Sequence, residues 1–187
     1  MIVKDFDFTR ASKTSYERAE IMVKGGLHSR FNLSRKERVE KAHLGCLGEL
    51  AFEHFLRTKG IAYKLDDQSF ENRNSDEFDF LINDKKIDAK VAKKTTSRDP
   101  NDNWTYGYPQ EQHPATKNYV VVGWVDFEKS EIGFYGWITG QKIATFPVVE
   151  RNSYAGYRYL TPNHEFKWGE LNKDFESLFN TINNSSK

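Results

Sequence analysis

In the stretch FDFLINDKKIDAKVAKK (residues 78–94), Asp79, Asp88 and Lys90 put two carboxylates and an amine where they could hold a divalent cation. The stretch reads as two short strands around a tight polar turn. Side chains alternate along a strand. Phe78, Phe80 and Ile82 therefore share one face, with Asp79 and Leu81 on the other. Ile87, Ala89 and Val91 share a face, with Asp88, Lys90 and Ala92 opposite. Pairing Ile82 with Ile87 across NDKK sets Phe80 against Ala89 and Asp79 against Lys90. A two-residue slip sets Asp79 against Asp88 instead. Both registers keep the three polar groups on one face, whereas a one-residue slip breaks the apolar pairing. Two carboxylates this close repel unless a cation stands between them. Lys90 offsets part of that repulsion. Mg²⁺, which prefers oxygen ligands and is often held by one or two carboxylates plus substrate phosphate, would offset more.

A third acid sits on the element expected to pack behind the hairpin. In NLSRKERVEKAHLGCLGELAFEHFLRTKG, Ser34 and Glu37 form a capping-box pattern. Val39, Ala42, Cys46, Leu47, Leu50 and Ala51 recur near the helical period, and Gly60 ends it. The spacing predicts a helix over 34–59, with Glu49 at the rim of its apolar stripe. An unpaired carboxylate there is costly. Gly45 and Gly48 each weaken a helix by up to about 1 kcal/mol relative to Ala, which makes sense if the helix lies close to a sheet and brings Glu49 towards Asp79 and Asp88.

Other elements follow from pattern. Residues 14–24 read as a helix stopped by Gly25-Gly26. Residues 61–65, 78–82, 86–92, 118–125 and 132–138 read as strands, rich in Val, Ile, Phe, Tyr and Trp. Residues 95–117 read as one long polar loop with embedded aromatics, a length usual only for functional or mobile loops. After Gly140 the pattern weakens, and residues 169–182 read as a last helix. The expected class is α/β, with a mixed central sheet covered by the long helix. The division is an N-terminal helical extension (1–33), a core (34–140) and a C-terminal extension packed on it (141–187), together one domain.

Composition excludes several classes. Fourteen Phe, nine Tyr and four Trp argue against disorder. The single cysteine, Cys46, excludes an intrachain disulfide and a cysteine-based zinc site. No apolar run approaches the roughly 20 residues of a membrane span, and MIVKDFDFTR has no signal-peptide core, so the expectation is a soluble cytoplasmic chain. The net charge of +1 is no footprint for nucleic acid. Between Lys85 and Arg98, however, stand six basic residues and one acid, a local +5. Such a strip steers a phosphate backbone or, equally, guards a sheet edge.

An acid on the first core helix, then Asp, then Asp-x-Lys across a hairpin resembles the PD-(D/E)XK nuclease superfamily. The parts are Gly48-Glu49, Asp79 and Asp88-Ala89-Lys90, with eight residues between the two aspartates. The resemblance covers residues 34–138. Phe78 stands where the motif has proline. Asp84-Lys85-Lys86 and Glu165-Phe166-Lys167 also fit [DE]-x-K, but the first falls in the turn and the second in a segment without clear strand period.

The resemblance implies a restriction-endonuclease-like core, a mixed central sheet flanked by helices. It implies Mg²⁺, with Mn²⁺ able to substitute, held by Asp79, Asp88, the backbone carbonyl of Ala89, and Glu49 directly or through water. Lys90 would orient or deprotonate the attacking water, the latter if its pKa were depressed. The reaction implied is phosphodiester hydrolysis in DNA, expected to be double-stranded, by a homodimer or by sequential nicking. The alternatives are a non-catalytic nucleic-acid-binding or inhibitor protein on the same fold, a junction resolvase, or an RNase. Outside the family stands an α/β domain whose hairpin charges form a surface ion-pair network.

Lys93, Lys94, Arg98 and His113 are the candidate nucleic-acid contacts, with Gln110 and Gln112 weaker ones. Trp104, Tyr106 and Tyr108 could stack on bases or pack their loop down. His43 and His54 read as structural.

Overall fold

The structure, a computed structural model, describes residues 1–65 and 78–183. Helix α1 (Phe8–Lys24) begins at Asp7, whose carboxylate accepts from Arg10 N–H. That cap starts the helix well before the periodic stretch the sequence shows. Helix α2 (Arg35–Thr58) follows, with the capping box between Ser34 and Glu37 formed in both directions.

Five strands make the central sheet: β1 (Lys64–Leu65), β2 (Phe80–Ile82), β3 (Lys85–Lys93), β5 (Tyr119–Asp126) and β6 (Glu131–Thr139), in the order β1-β2-β3-β5-β6. Strands β3 and β5 run parallel, and the other neighbours are antiparallel. The β2–β3 hairpin takes the slipped register, with Phe80 opposite Ile87, rather than Ile82 opposite Ile87. The cause is the turn. Asn83 and Asp84 both adopt positive φ, 45° and 62°, the two-residue type I′ geometry that suits the strand twist and that Asn and Asp tolerate. Strand β3 thereby starts at Lys85, one residue before the expected strand.

A second sheet occupies sequence expected to be irregular. Strands β4 (Thr105–Pro109), β7 (Val148–Arg151) and β8 (Arg158–Lys167) pair antiparallel in the order β4-β8-β7. The 95–117 stretch is therefore not one loop: it holds β4 and two short 3₁₀ turns, Gln110–Gln112 and Pro114–Thr116. Glu165 and Phe166, expected outside any strand, lie in β8. Because β4 pairs with β8, a boundary at residue 140 would cut this sheet. A short helix α3 (Gly140–Ile143) links β6 to β7, and α4 (Phe175–Asn183) ends the described chain, starting later than residue 169 because 168–170 form a 3₁₀ turn.

The two faces of the central sheet are covered differently. On one, Leu47, Ala51, Phe52 and Leu56 of α2 and Phe175, Leu178 and Ile182 of α4 pack on Phe80, Ile87, Ala89, Val121 and Phe134. On the other, Tyr108, Phe166 and Trp168 pack on Val120, Val122, Trp124 and Ile138. The architecture is mixed α/β with a mixed central sheet, as expected, but helices flank one face and the three-stranded sheet covers the other. Gly48 explains how closely α2 lies: a Cβ there would stand 2.7 Å from Val91 Cγ2. Gly45 has nothing within 4 Å and permits no such approach. Among the described residues, no helix is long and apolar enough to cross a membrane.

Candidate active site at the β2–β3 hairpin

The type I′ turn fixes which charges meet. With Phe80 opposite Ile87, Asp79 stands just before β2, and its N–H donates to Ile87 O at 3.2 Å, a departure from the ladder that leaves its carboxylate beside Lys90 and the Ala89 N–H. Asp88 and Lys90, two apart on β3, project from the face covered by the second sheet. Lys90 Nζ lies 3.5 Å from Asp79 Oδ2 and 3.3 Å from Asp88 Oδ2. The Ala89 N–H donates to Asp79 Oδ2 at 2.7 Å, which places that peptide beside the carboxylate. The Tyr108 hydroxyl, reaching from β4, donates to Asp88 Oδ2 at 2.6 Å.

This is no surface network. The side chains of Asp79, Asp88 and Lys90 are only 7%, 3% and 21% exposed. Burial pushes the Asp79 pKa up to about 8, and the Asp88 and Glu49 charges add to the rise while Lys90 and the Ala89 N–H oppose it. Burial also opposes the Lys90 charge, but Asp79 and Asp88 outweigh it and hold its pKa well above the ordinary lysine value. The depressed pKa a basic Lys90 would need is thus not found: between two carboxylates the ammonium is the favoured form. Burial first, then the neighbouring Asp88, raises the Tyr108 hydroxyl far above the ordinary phenol range, and it stays a donor. Burial likewise lifts the Tyr106 hydroxyl to about 12, with Lys90 opposing and Asp88, Tyr157 and Asp79 adding.

Glu49 lines a cleft with Arg18, Leu50, Glu53, Phe78 and Asp79. Its carboxylate lies 3.5 Å from Arg18 Nη1 on α1. Among the described residues, no three His, Cys, Asp or Glu side chains gather closely enough to hold a metal ion. The structure therefore brings together Asp79, Asp88, Lys90 and the Ala89 peptide, and leaves Glu49 at the edge, facing an arginine.

The candidate nucleic-acid contacts fare unevenly. Lys94 is 3% exposed and its ammonium lies 2.8 Å from Asp126, so it is part of a buried ion pair and not a phosphate contact. Lys93 is exposed at the end of β3, 5.8 Å over the Phe127 ring. Arg98 is exposed in the segment before β4, and His113 is exposed between the 3₁₀ turns with φ 48°. The basic strip is thus not one surface, since Lys90 and Lys94 turn inward. Trp104 packs on Trp168 (centroids 5.1 Å apart) and Tyr106 on Phe166 (6.0 Å). Of the two readings for these aromatics, packing holds. His43 meets Ser12 Oγ at 3.2 Å and His54 meets Lys4 O at 3.1 Å, both structural contacts.

Two participants were not picked out from sequence. Tyr108 as the partner of Asp88 had a signal: in TYGYP the two tyrosines stand two apart, on one face of any strand. Arg18 had none, because its role depends on how α1 crosses α2. No family model matches the chain, no curated protein matches it in sequence, and no solved structure matches its fold.

Proposed function

We propose that this chain is a metal-dependent nuclease of the PD-(D/E)XK kind, hydrolysing phosphodiester bonds in DNA at the β2–β3 hairpin. The observation that carries this reading is the buried convergence of Asp79 and Asp88 on opposite strands with Lys90 Nζ within 3.5 Å of both. The donor set fits Mg²⁺ or Mn²⁺ as a two-carboxylate site: hard oxygens, with two carboxylates to one ammonium and hence a net −1 once both are ionised. Asp79 and Asp88 would hold the ion, with the Ala89 carbonyl as a further oxygen and Glu49 reaching it through water. Bound there, the ion would polarise a phosphoryl oxygen and acidify a water.

The remaining roles belong to the chain itself. Tyr108 fixes the Asp88 carboxylate by its hydroxyl, and such support of a ligand keeps its orientation. Lys90, held as the ammonium, donates hydrogen bonds. It orients the attacking water and offsets negative charge developing on the phosphate oxygens. The inter-sheet core formed by Tyr108, Phe166 and Trp168 keeps bulk water from the Asp88 side. The described residues carry one such site, so cutting both strands requires a homodimer or two successive nicks.

One observation favours a second reading, the non-catalytic binding protein. The Oδ2 atoms of both aspartates already have partners within the chain. The deciding experiment incubates the protein with supercoiled plasmid, linear duplex, single-stranded DNA and RNA in Mg²⁺, Mn²⁺ or EDTA, beside Lys90→Ala. Metal-dependent cutting that Lys90→Ala abolishes is the expected result. No cutting by folded protein, together with metal titrations that Asp79→Ala leaves unchanged, would overturn the nuclease reading in favour of the binding protein.

A further inference from the structure

The tip between β7 and β8, residues 152–157, is an exposed turn built on a buried polar frame. Asn152 is 4% exposed and Glu165 8%. Asn152 Nδ2 lies 2.9 Å from Thr105 Oγ1, 2.8 Å from the Tyr159 hydroxyl and 3.0 Å from Glu165 Oε2. Asn152 Oδ1 accepts from the Tyr154 and Ala155 N–H groups, and Glu165 accepts from Ser153 N–H and the Tyr159 hydroxyl. Gly156 completes the turn at φ 72°. Fully paired buried networks of this kind rigidify what they hold. What this one holds is apolar and open to solvent: Tyr154 is 70% exposed, Tyr157 56% and Leu160 44%. Arg151 and Arg158, both exposed, flank the tip; Arg158 Nη2 lies 3.4 Å from Glu150 Oε2, an open surface pair that a phosphate could displace, unlike the buried Lys94–Asp126 pair.

The tip also packs against β4, the strand that walls the acid–lysine cluster. Tyr157 sits edge-on against Tyr159, centroids 5.3 Å apart. The Tyr159 ring covers Gly107 so closely that a Cβ there would stand 2.6 Å from its Cζ. On either side of Gly107, Tyr106 and Tyr108 turn to the opposite face of β4, where Tyr106 packs on Phe166 and the Tyr108 hydroxyl bonds Asp88. Rigidly held exposed aromatic rings beside guanidinium groups are what a single strand of nucleic acid needs: π-faces for its bases and cations for its phosphates. A duplex hides its base faces in the stack and offers such rings little.

We propose that the β7–β8 tip is a single-strand binding arm, with Tyr154 and Tyr157 stacking on unpaired bases of the strand whose phosphodiester reaches Asp79, Asp88 and Lys90. This rests on the nuclease reading for its second clause and deepens it, naming a substrate with unpaired nucleotides near the scissile bond.

The test reads binding, not cleavage. Affinities for an oligothymidylate and for a duplex, each of about 20 nucleotides per strand, are measured in EDTA for the wild type, Tyr154→Ala, Tyr157→Ala, the double variant and the two Tyr→Phe variants. Metal-dependent plasmid cutting is followed in parallel. The expected result is a loss of oligothymidylate affinity of roughly fivefold or more for each alanine, retention in phenylalanine, and duplex affinity changed less than about twofold. Both tyrosines are exposed, so circular dichroism should show the variants folded. Unchanged oligothymidylate affinity in the folded double variant would overturn the proposal, as would no single-strand binding by the wild type. Self-association that the double variant loses, without any oligonucleotide effect, would assign the tip to a second copy of the chain and overturn it too. Single-strand binding lost with the rings, alongside a failure to cut in any metal, would sink the nuclease reading alone.

Discussion

Asp79 is buried near a second carboxylate with one ammonium shared between them, and this makes its proton a measure of the site. Unfolded, it titrates near 3.8; folded, near 8. Over that interval the folded state holds the proton more tightly, so stability falls as pH rises. The contribution is complete below the unfolded value and lost as pH passes through the folded one. In EDTA, the urea midpoint of the wild type is expected to fall between those limits, and Asp79→Asn, neutral throughout, to lose that part of the slope. Identical slopes would mean that Asp79 is ionised across the range. Magnesium requires the ionised carboxylates, so its stabilisation over EDTA should grow towards the alkaline end. These three charged residues were legible beforehand because strand alternation puts them on one face in either plausible register. Which carboxylate faced which was not legible, since it turns on Asn83 and Asp84 accepting positive φ together.

At the scale of elements, the two helix glycines of α2 make a matched pair. Gly48→Ala places a methyl 2.7 Å from Val91 Cγ2, overpacking that costs about 1–3 kcal/mol and outweighs the gain in helix propensity of up to about 1 kcal/mol. Gly45→Ala enters open space and should keep that gain. Urea unfolding of the two variants should therefore shift in opposite directions; equal shifts would mean that α2 does not press on β3. Helix α2 and strands β3, β5 and β6 were readable because period, cap and β-branched runs agree. The second sheet was not. Strand β8 carries Pro162 and Asn163 in its middle, residues poor in strands, and burial alternates only over its first half before running unbroken from Asn163 to Phe166. Strand β4 is short and pairs with residues far along the chain, so no local pattern announces it.

For the whole molecule, the stretch past residue 140 is no appendage. Phe175, Leu178, Phe179 and Ile182 of α4 are buried in the main core, and Asn83 Nδ2 at the hairpin turn donates to Ile182 O at 2.9 Å. Burying each of these side chains is worth about 1.5–3 kcal/mol, so removing all four forfeits roughly 6–12 kcal/mol, the size of a domain's whole stability. A chain ending at Asp174 is expected to lose its cooperative melting transition by circular dichroism. If it still melted cooperatively near the full-length temperature, α4 would be a passenger on a self-sufficient core.

Strand β4 enters the chain between β3 and β5, yet its strand partner is β8, whose paired residues come 54 to 62 positions later. Tyr108, the side chain that bonds Asp88, rides on β4. During synthesis, Asp79, Asp88 and Lys90 therefore emerge long before the wall that encloses them can form, and contacts so distant in sequence are slow to close. The hairpin's charges stay wet until the last strand docks. The enclosure therefore waits on β8: a product cut off before that strand, or a folding intermediate, would carry all three charged side chains and lack the wall around them.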